Sequence, residues 1–122
     1  MKFFTLLSLL LVPTIMLGTG MSWKNHPPRK INGLYGYRTR RSSSSQAAWD
    51  FAHAYCGALW RRWGAWMSAV TVVACALIWR QSWFYEAVFV LSMAQCAVLL
   101  LSILPVERAL HAKFDEHGNP KE

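Results

Sequence analysis

The sequence predicts an all-α integral membrane protein, with three transmembrane helices and a cytoplasmic amphipathic helix between the first and the second. Three observations carry this prediction. Of the 122 residues, 54% are hydrophobic and only 16% charged, where a soluble domain usually carries about 25% charged residues. The charged residues leave three gaps, between Lys2 and Lys24, Arg62 and Arg80, and Glu86 and Glu107. These gaps are 21, 17 and 20 residues long, close to the ~20 apolar residues that a membrane helix needs. The net charge of +7 is also unevenly placed: from Lys24 to Arg62 eight basic residues stand against one acid, Asp50. A basic loop beside apolar spans marks the cytoplasmic side, because Lys and Arg resist translocation. The length suits one domain and excludes a large multidomain enzyme.

The first span covers residues 3–23. One reading is a cleaved secretory signal, with Lys2 as the basic start, a Leu-rich middle and small Gly18 and Gly20 near a cleavage point. The other is a retained helix, which is the reading adopted. The apolar stretch is longer than a typical signal core, and Trp23 suits an interfacial anchor. Pro13 kinks such a helix, which neighbouring helices tolerate.

Residues 24–62 hold the basic loop and the amphipathic helix. Pro27, Pro28, Gly33, Gly36 and a run of four serines mark a loop. Ser43 followed by Gln46 fits a capping box, so a helix is expected to begin near Gln46. Gln46, Asp50, His53, Gly57 and Arg61 then recur at helical spacing as a narrow polar stripe. Ala48, Phe51, Ala52, Tyr55 and Leu59 fall opposite. Such a helix can lie in the membrane interface, pack on a partner, or extend the next span into the cytoplasm.

The second span, 63–79, rises about 26 Å as a helix, and Arg62 and Arg80 can snorkel to the head groups. Tryptophans crowd both ends as an aromatic belt. Gly64, Ser68, Val72 and Ala76 form a ridge of mostly small residues open to a neighbouring helix. A tight hairpin at 81–83 leads into the third span, 87–104, where Ser92, Gln95, Cys96 and Ser102 share a face. Gln95 at mid-span is costly against lipid, so an interhelical hydrogen bond is expected in preference to a transport role. Pro105 ends the span, and residues 105–122 form a cytoplasmic tail. With the basic loop inside, the N-terminus lies outside and the C-terminus inside.

No catalytic signature is present: no G-x-S-x-G, phosphate loop or H-E-x-x-H. Asp50, Glu86 and Glu107 are expected to pair with Arg61, Arg80 and Arg108. His53 and Cys56 lie one turn apart, but two ligands do not make a metal site. His111 and His117 flank Asp115 and Glu116 in a polar tail that reads as solvated surface. No metal or cofactor is expected, and no module for reading nucleic acid is visible.

One segment is distinctive: INGLYGYRTRRSSSSQAAWDFAH, with Asn32, Gly36, Tyr37, Arg38, Thr39, Ser42, Trp49, Ala52 and His53. It resembles the signature of the SdpI family of bacterial membrane proteins. The spacing from Gly36 to His53 fits without a gap, and Glu107, Leu110, Phe114, Asp115 and Gly118 resemble the tail of short members. The resemblance implies a multi-pass protein of the bacterial inner membrane, and makes those nine residues the candidate binding site. It also implies partners beyond the lipid bilayer, a peptide toxin or a cytoplasmic repressor, since the namesake confers toxin immunity and sequesters a repressor. The function expected is non-enzymatic resistance to, or sensing of, a membrane-active toxin. The alternative is a structural or accessory subunit of a larger membrane complex. For Arg38 a specific role is expected, because its planar fork suits carbonyl and phosphate groups; Arg40 and Arg41 serve topology. Loop and helix together are expected to form one polar docking surface at the membrane face.

Overall fold

The structure, a computed structural model, describes residues 1–121. Its helices are α1 (Lys2–Leu9), α2 (Leu11–Asn25), α3 (Gln46–Ile78), α4 (Phe84–Leu101) and α5 (Ile103–Lys113). The described residues form no extended sheet; a single bridge joins Phe114 and Pro120 in the tail.

Two breaks share one cause. The turn of helix at Leu10 lies three residues before Pro13, and that at Ser102 lies three before Pro105. Each proline lacks the amide that would bond four residues back, and its ring crowds that carbonyl. The chain bends and continues. The third span was expected to end at Pro105 with a short helical pattern beyond it; the helix breaks just before, at Ser102, and Pro105 sits in the first turn of α5, where an amide has no intrahelical partner to lose.

The stretches Lys2–Asn25 and Phe84–Lys113 are each long and apolar enough to cross a membrane, and only 22% and 17% of their most apolar windows are buried inside the molecule. The core helix of a soluble protein would be mostly covered by its own chain. Here Phe4, Leu11, Ile15, Phe89, Val90 and Leu100 point outward, the arrangement of helices solvated by lipid.

The amphipathic helix and the second predicted span are one continuous helix, α3, of 33 residues. Nothing in the sequence stops it: residues 46–78 contain no proline, and only two glycines, Gly57 and Gly64. Its start at Gln46 is as expected, but the cap is Ser45 and not Ser43. The Ser45 hydroxyl accepts the Ala48 amide at 3.0 Å, satisfying one orphan donor of the first turn.

Much of the N-terminal half of α3 is covered by its own chain, although Gln46, Asp50 and Tyr55 stay exposed. On the polar stripe, His53 and Gly57 are buried, and Arg61 donates to the Gly20 carbonyl of α2 at 3.0 Å. On the opposite side Ala48, Ala52, Cys56 and Leu59 pack with Val106, Leu110 and Phe114. The approach to α2 is close. A Cβ added at Gly20 would stand 2.6 Å from the Gly57 carbonyl oxygen, and one at Gly64 would stand 2.6 Å from the Leu17 amide. Of the predicted ridge, only Gly64 serves this contact fully, while Val72 and Ala76 face outward. The working ridge is Gly57 and Gly64, which face Gly20 and Leu17.

Gln95 behaves as expected, donating to the Thr71 hydroxyl of α3 at 2.9 Å in a buried position. Trp60 is drawn inward from the predicted belt: its indole donates to the Ser102 hydroxyl at 3.1 Å and its ring stacks on Trp23 at 5.9 Å. The expected pairs of Asp50, Glu86 and Glu107 with arginines do not form; among the described residues only the exposed His117 and Glu116 approach, at 4.0 Å, a contact that is ionic only when the imidazole is protonated. At the far end of the bundle Leu9, Cys75, Phe84 and Val88 make a second core. There the Lys2 ammonium donates to the Trp79 carbonyl and lies 5.0 Å from the Phe84 ring centre.

Candidate functional site

The polar loop, residues 26–45, folds back onto the start of α3, and His53 is the post to which it is tied. The Tyr37 amide donates to His53 Nε2 at 2.8 Å. Nε2 is thus the accepting nitrogen and the proton resides on Nδ1, which donates to the Trp49 carbonyl at 2.7 Å. Both ring nitrogens are engaged, and the neutral tautomer is fixed by its partners. Trp49 and Trp23 enclose the ring at centroid distances of 4.4 and 4.8 Å. The Trp49 indole in turn donates to the Pro28 carbonyl at 2.7 Å.

Gly36 makes the approach possible. Its φ is +117°, a conformation that costs other residues strain, and a Cβ there would lie 2.6 Å from His53 Nε2. Tyr37 then turns inward and donates from its hydroxyl to Glu107 of α5 at 2.7 Å. Burial and the neighbouring Glu107 carboxylate hold that hydroxyl far above its usual titration range. Ser42 closes the turn. Its hydroxyl donates to the Tyr37 carbonyl at 3.0 Å and accepts the Thr39 amide at 2.8 Å, while its own amide donates to the Thr39 hydroxyl at 3.1 Å. Ala52 is fully buried beneath this turn. The tail joins in: Arg41 donates to the Phe114 carbonyl at 3.3 Å, and Ser45 donates to the Gly118 carbonyl at 2.6 Å.

Seven of the nine predicted residues, Gly36, Tyr37, Thr39, Ser42, Trp49, Ala52 and His53, are thus brought together, but mostly facing inward. They form a cap that fastens loop, α3 and α5 to one another, where a polar docking surface was expected. Asn32 and Arg38 remain outside this cap. Asn32 Oδ1 accepts the amides of Leu34 and Tyr35 at 2.9 and 2.7 Å, its Nδ2 donates to the Lys30 carbonyl at 2.9 Å, and Arg38 donates to the Gly33 carbonyl. An open cleft of about 350 Å³ lies beside the cap, lined by Arg40, Arg41, Glu107, Glu116 and His117.

A model of the SdpI/YfhL protein family matches residues 29–106. The chain belongs to this family. A relative from Bacillus subtilis (strain 168), described as uncharacterized protein YfhL, is 47% identical over 45 residues, or 37% of this chain and 41% of that protein. The chain therefore matches less than half of that relative's length. No solved structure matches the chain. In this SdpI/YfhL member the signature from Gly36 to His53 is accounted for by packing and internal hydrogen bonds.

Several residues of the cap were not foreseen as such. Trp23 encloses His53 from α2 and donates to the Tyr35 hydroxyl at 2.9 Å, yet in sequence it reads only as an interfacial anchor. Glu107 was expected to bind an arginine, and its real partner, the Tyr37 hydroxyl, is 70 residues away. Cys56 is buried in the core and its thiol is pushed up to about 12 by that burial. Both His53 nitrogens are engaged within the cap, and the described residues hold no group of three or more metal-ligating side chains.

The cap should respond to pH through His53, which lies ahead of the apolar half of α3. Burial holds its imidazole below the ordinary 6.5, against the opposing pull of the Trp49 carbonyl and Asp50. An imidazole depressed in the folded state binds fewer protons there than in the open chain, so stability rises with pH. The stabilisation is complete above the ordinary 6.5 and drains away as the pH falls below it. Protonation would also turn Nε2 into a donor facing the Tyr37 amide. Amide exchange at Tyr37, followed from about pH 8 to 5, is expected to lose protection at the acid end, so that it slows less than the intrinsic trend. A His53→Gln variant should lack that extra dependence.

Proposed function

We propose that this SdpI/YfhL member is a non-enzymatic protein of the bacterial inner membrane that resists or senses a secreted, membrane-active peptide. It crosses the bilayer three times: through Lys2–Asn25, through the apolar half of α3, and through the apolar part of Phe84–Lys113. The capped basic end faces the cytoplasm and the N-terminus faces outward. The observation that carries the reading is the cap itself. The family signature is concentrated in a loop whose buried polar groups bond to one another, with neither His53 nitrogen free to act as a base. A rigid basic platform beside the membrane suits recognition better than turnover.

Two experiments bear on the reading. The first concerns sidedness. Loop and tail meet at one end, through Tyr37–Glu107 and Ser45–Gly118, and Lys2 meets the 79–83 hairpin at the other. In a variant whose three cysteines are replaced, an impermeant thiol reagent applied from outside should modify a cysteine at Ser82 and spare one at Ser44. The reverse pattern would invert the topology.

The second tests the role. Arg38→Lys keeps the charge but not the planar fork that holds the Gly33 carbonyl. An exposed charge-assisted bond of this kind contributes on the order of 1 kcal/mol or less, enough to bias a loop and too little to eject inserted spans. Arg38→Lys is expected to insert normally yet lose most of the survival that the wild type confers on toxin-challenged cells. Arg40→Lys should retain it, and full protection by Arg38→Lys would reduce Arg38 to a topology charge.

An accessory subunit of a larger complex is the second reading. It is favoured by a shallow apolar groove of about 350 Å³ along Trp66, Ala69, Val70, Val73, Ala74 and Leu77. Stable co-purification with a large assembly would support it.

A further inference from the structure

Asn32 and Arg38 are the two signature residues the cap does not absorb, and both are engaged in holding one small structure. Asn32 bridges the Lys30 carbonyl and the Leu34 and Tyr35 amides, and Arg38 reaches back to the Gly33 carbonyl. Between them they fix residues 30–35 as a finger whose backbone turn is closed by side chains. At its tip Leu34 is 92% exposed, more than any other large apolar residue among the described residues, and Ile31 and Tyr35 beside it are also exposed. A tightly held turn that presents leucine to the outside requires a reason.

The surroundings of the finger supply one. Its root is the Tyr35 hydroxyl, bonded to the Trp23 indole near the end of α2 at 2.9 Å. That is the end of an apolar helix long enough to span, the depth at which tryptophan and tyrosine collect in membranes. Lys24, Arg29 and Lys30 are exposed next to it, and no acid occurs between Lys24 and Asp50. Apolar tips rimmed by cations are what an anionic bilayer surface binds: the side chains enter the head-group boundary and the cations meet phosphates.

We propose that the finger formed by Asn32 and Arg38 inserts Ile31 and Leu34 into the anionic lipid leaflet at the basic end of the molecule. The finger pins that end to the leaflet, and the cap transmits its position to α3 and α5. The proposal needs only that the basic end meets a bilayer surface. It holds whichever compartment that surface faces and whether or not a toxin is the partner.

The test is a depth measurement at Leu34. Cys56 and Cys75 are buried and can stay, while the exposed Cys96 is replaced with alanine. A nitroxide is then attached to Leu34→Cys, or to Ser44→Cys as reference, in the full chain reconstituted in phosphatidylglycerol vesicles or in phosphatidylcholine vesicles. Leu34 is so exposed that its replacement leaves the fold intact. In the anionic vesicles the label at position 34 should lose access to an aqueous nickel complex and gain access to oxygen, as expected about 5–10 Å inside the head-group boundary. The label at 44 should stay in water. Shielding should weaken in phosphatidylcholine and when Asn32→Ala unfastens the finger. A position-34 label as open to nickel as position 44 in anionic vesicles overturns the proposal. So does a label open in vesicles but shielded in native membranes, which would assign the finger to a protein partner.

Discussion

Replacing Gly20 with valine is expected to separate α2 from α3 while leaving membrane insertion unaffected. The first carbon of any side chain at Gly20 would stand 2.6 Å from the Gly57 carbonyl oxygen, 2.7 Å from the Arg61 amide and 2.9 Å from Arg61 Cγ. The nearest two are backbone atoms in the middle of a helix, which cannot swing aside as a side-chain tip can. Overpacking costs about 1–3 kcal/mol where neighbours adjust, and here the helices must part. Parting them also removes the Arg61 bond to the Gly20 carbonyl and the Trp23–Trp60 stack. Insertion depends on apolar length, which valine does not reduce. Gly18 lies on the same helix with nothing within 4 Å of its would-be Cβ, so Gly18→Val is the matched control. Unfolding in mixed micelles of rising SDS content should show an early loss of tertiary signal for Gly20→Val alone. Equal midpoints for the two variants would refute the close-packed interface.

Gly36→Ala should open the loop. A residue held at φ +117° without being glycine carries about 1–3 kcal/mol of strain. The added methyl also occupies the space 2.6 Å from His53 Nε2, so the Tyr37 amide and the imidazole lose each other in a buried setting, at about 1–3 kcal/mol more. Even the low sum, roughly 2 kcal/mol, corresponds to about a 30-fold shift toward the open loop. Amide exchange at Tyr37 is the direct readout. Gly33→Ala, with open space around its would-be Cβ, should change it little. An unaltered Tyr37 amide in Gly36→Ala would mean that the His53 tie does not hold the loop.

What the sequence made legible was whatever depends on neighbours along the chain. Charge-free gaps identified the apolar segments, and the serine run followed by Gln46 located the start of α3. Gln95 was costly enough at mid-span to demand a partner on another helix, and Thr71 provides it. What stayed hidden depends on which faces meet. Gly57 looked like part of a polar stripe and proves to be a contact point for α2. The ridge at Gly64, Ser68, Val72 and Ala76 had suitable sizes, yet size does not reveal that α2 approaches one turn further round. Seven of the signature residues converge in one cap, where most of them face inward. Motif spacing shows that Trp49 and His53 share a helical face, but not that Trp23 and Pro28 cover it.

The bond between Tyr37 and Glu107 also bears on biogenesis. The two residues are 70 positions apart, and the anchor from Ser45 to Gly118 spans 73. At a synthesis rate of about 5–20 residues per second, the loop is made roughly 4–14 s before its last partners exist. Throughout that interval it can rest on α3 through His53 but is not locked to α5. The loop is then held only from its own side until α5 and the tail arrive to lock it.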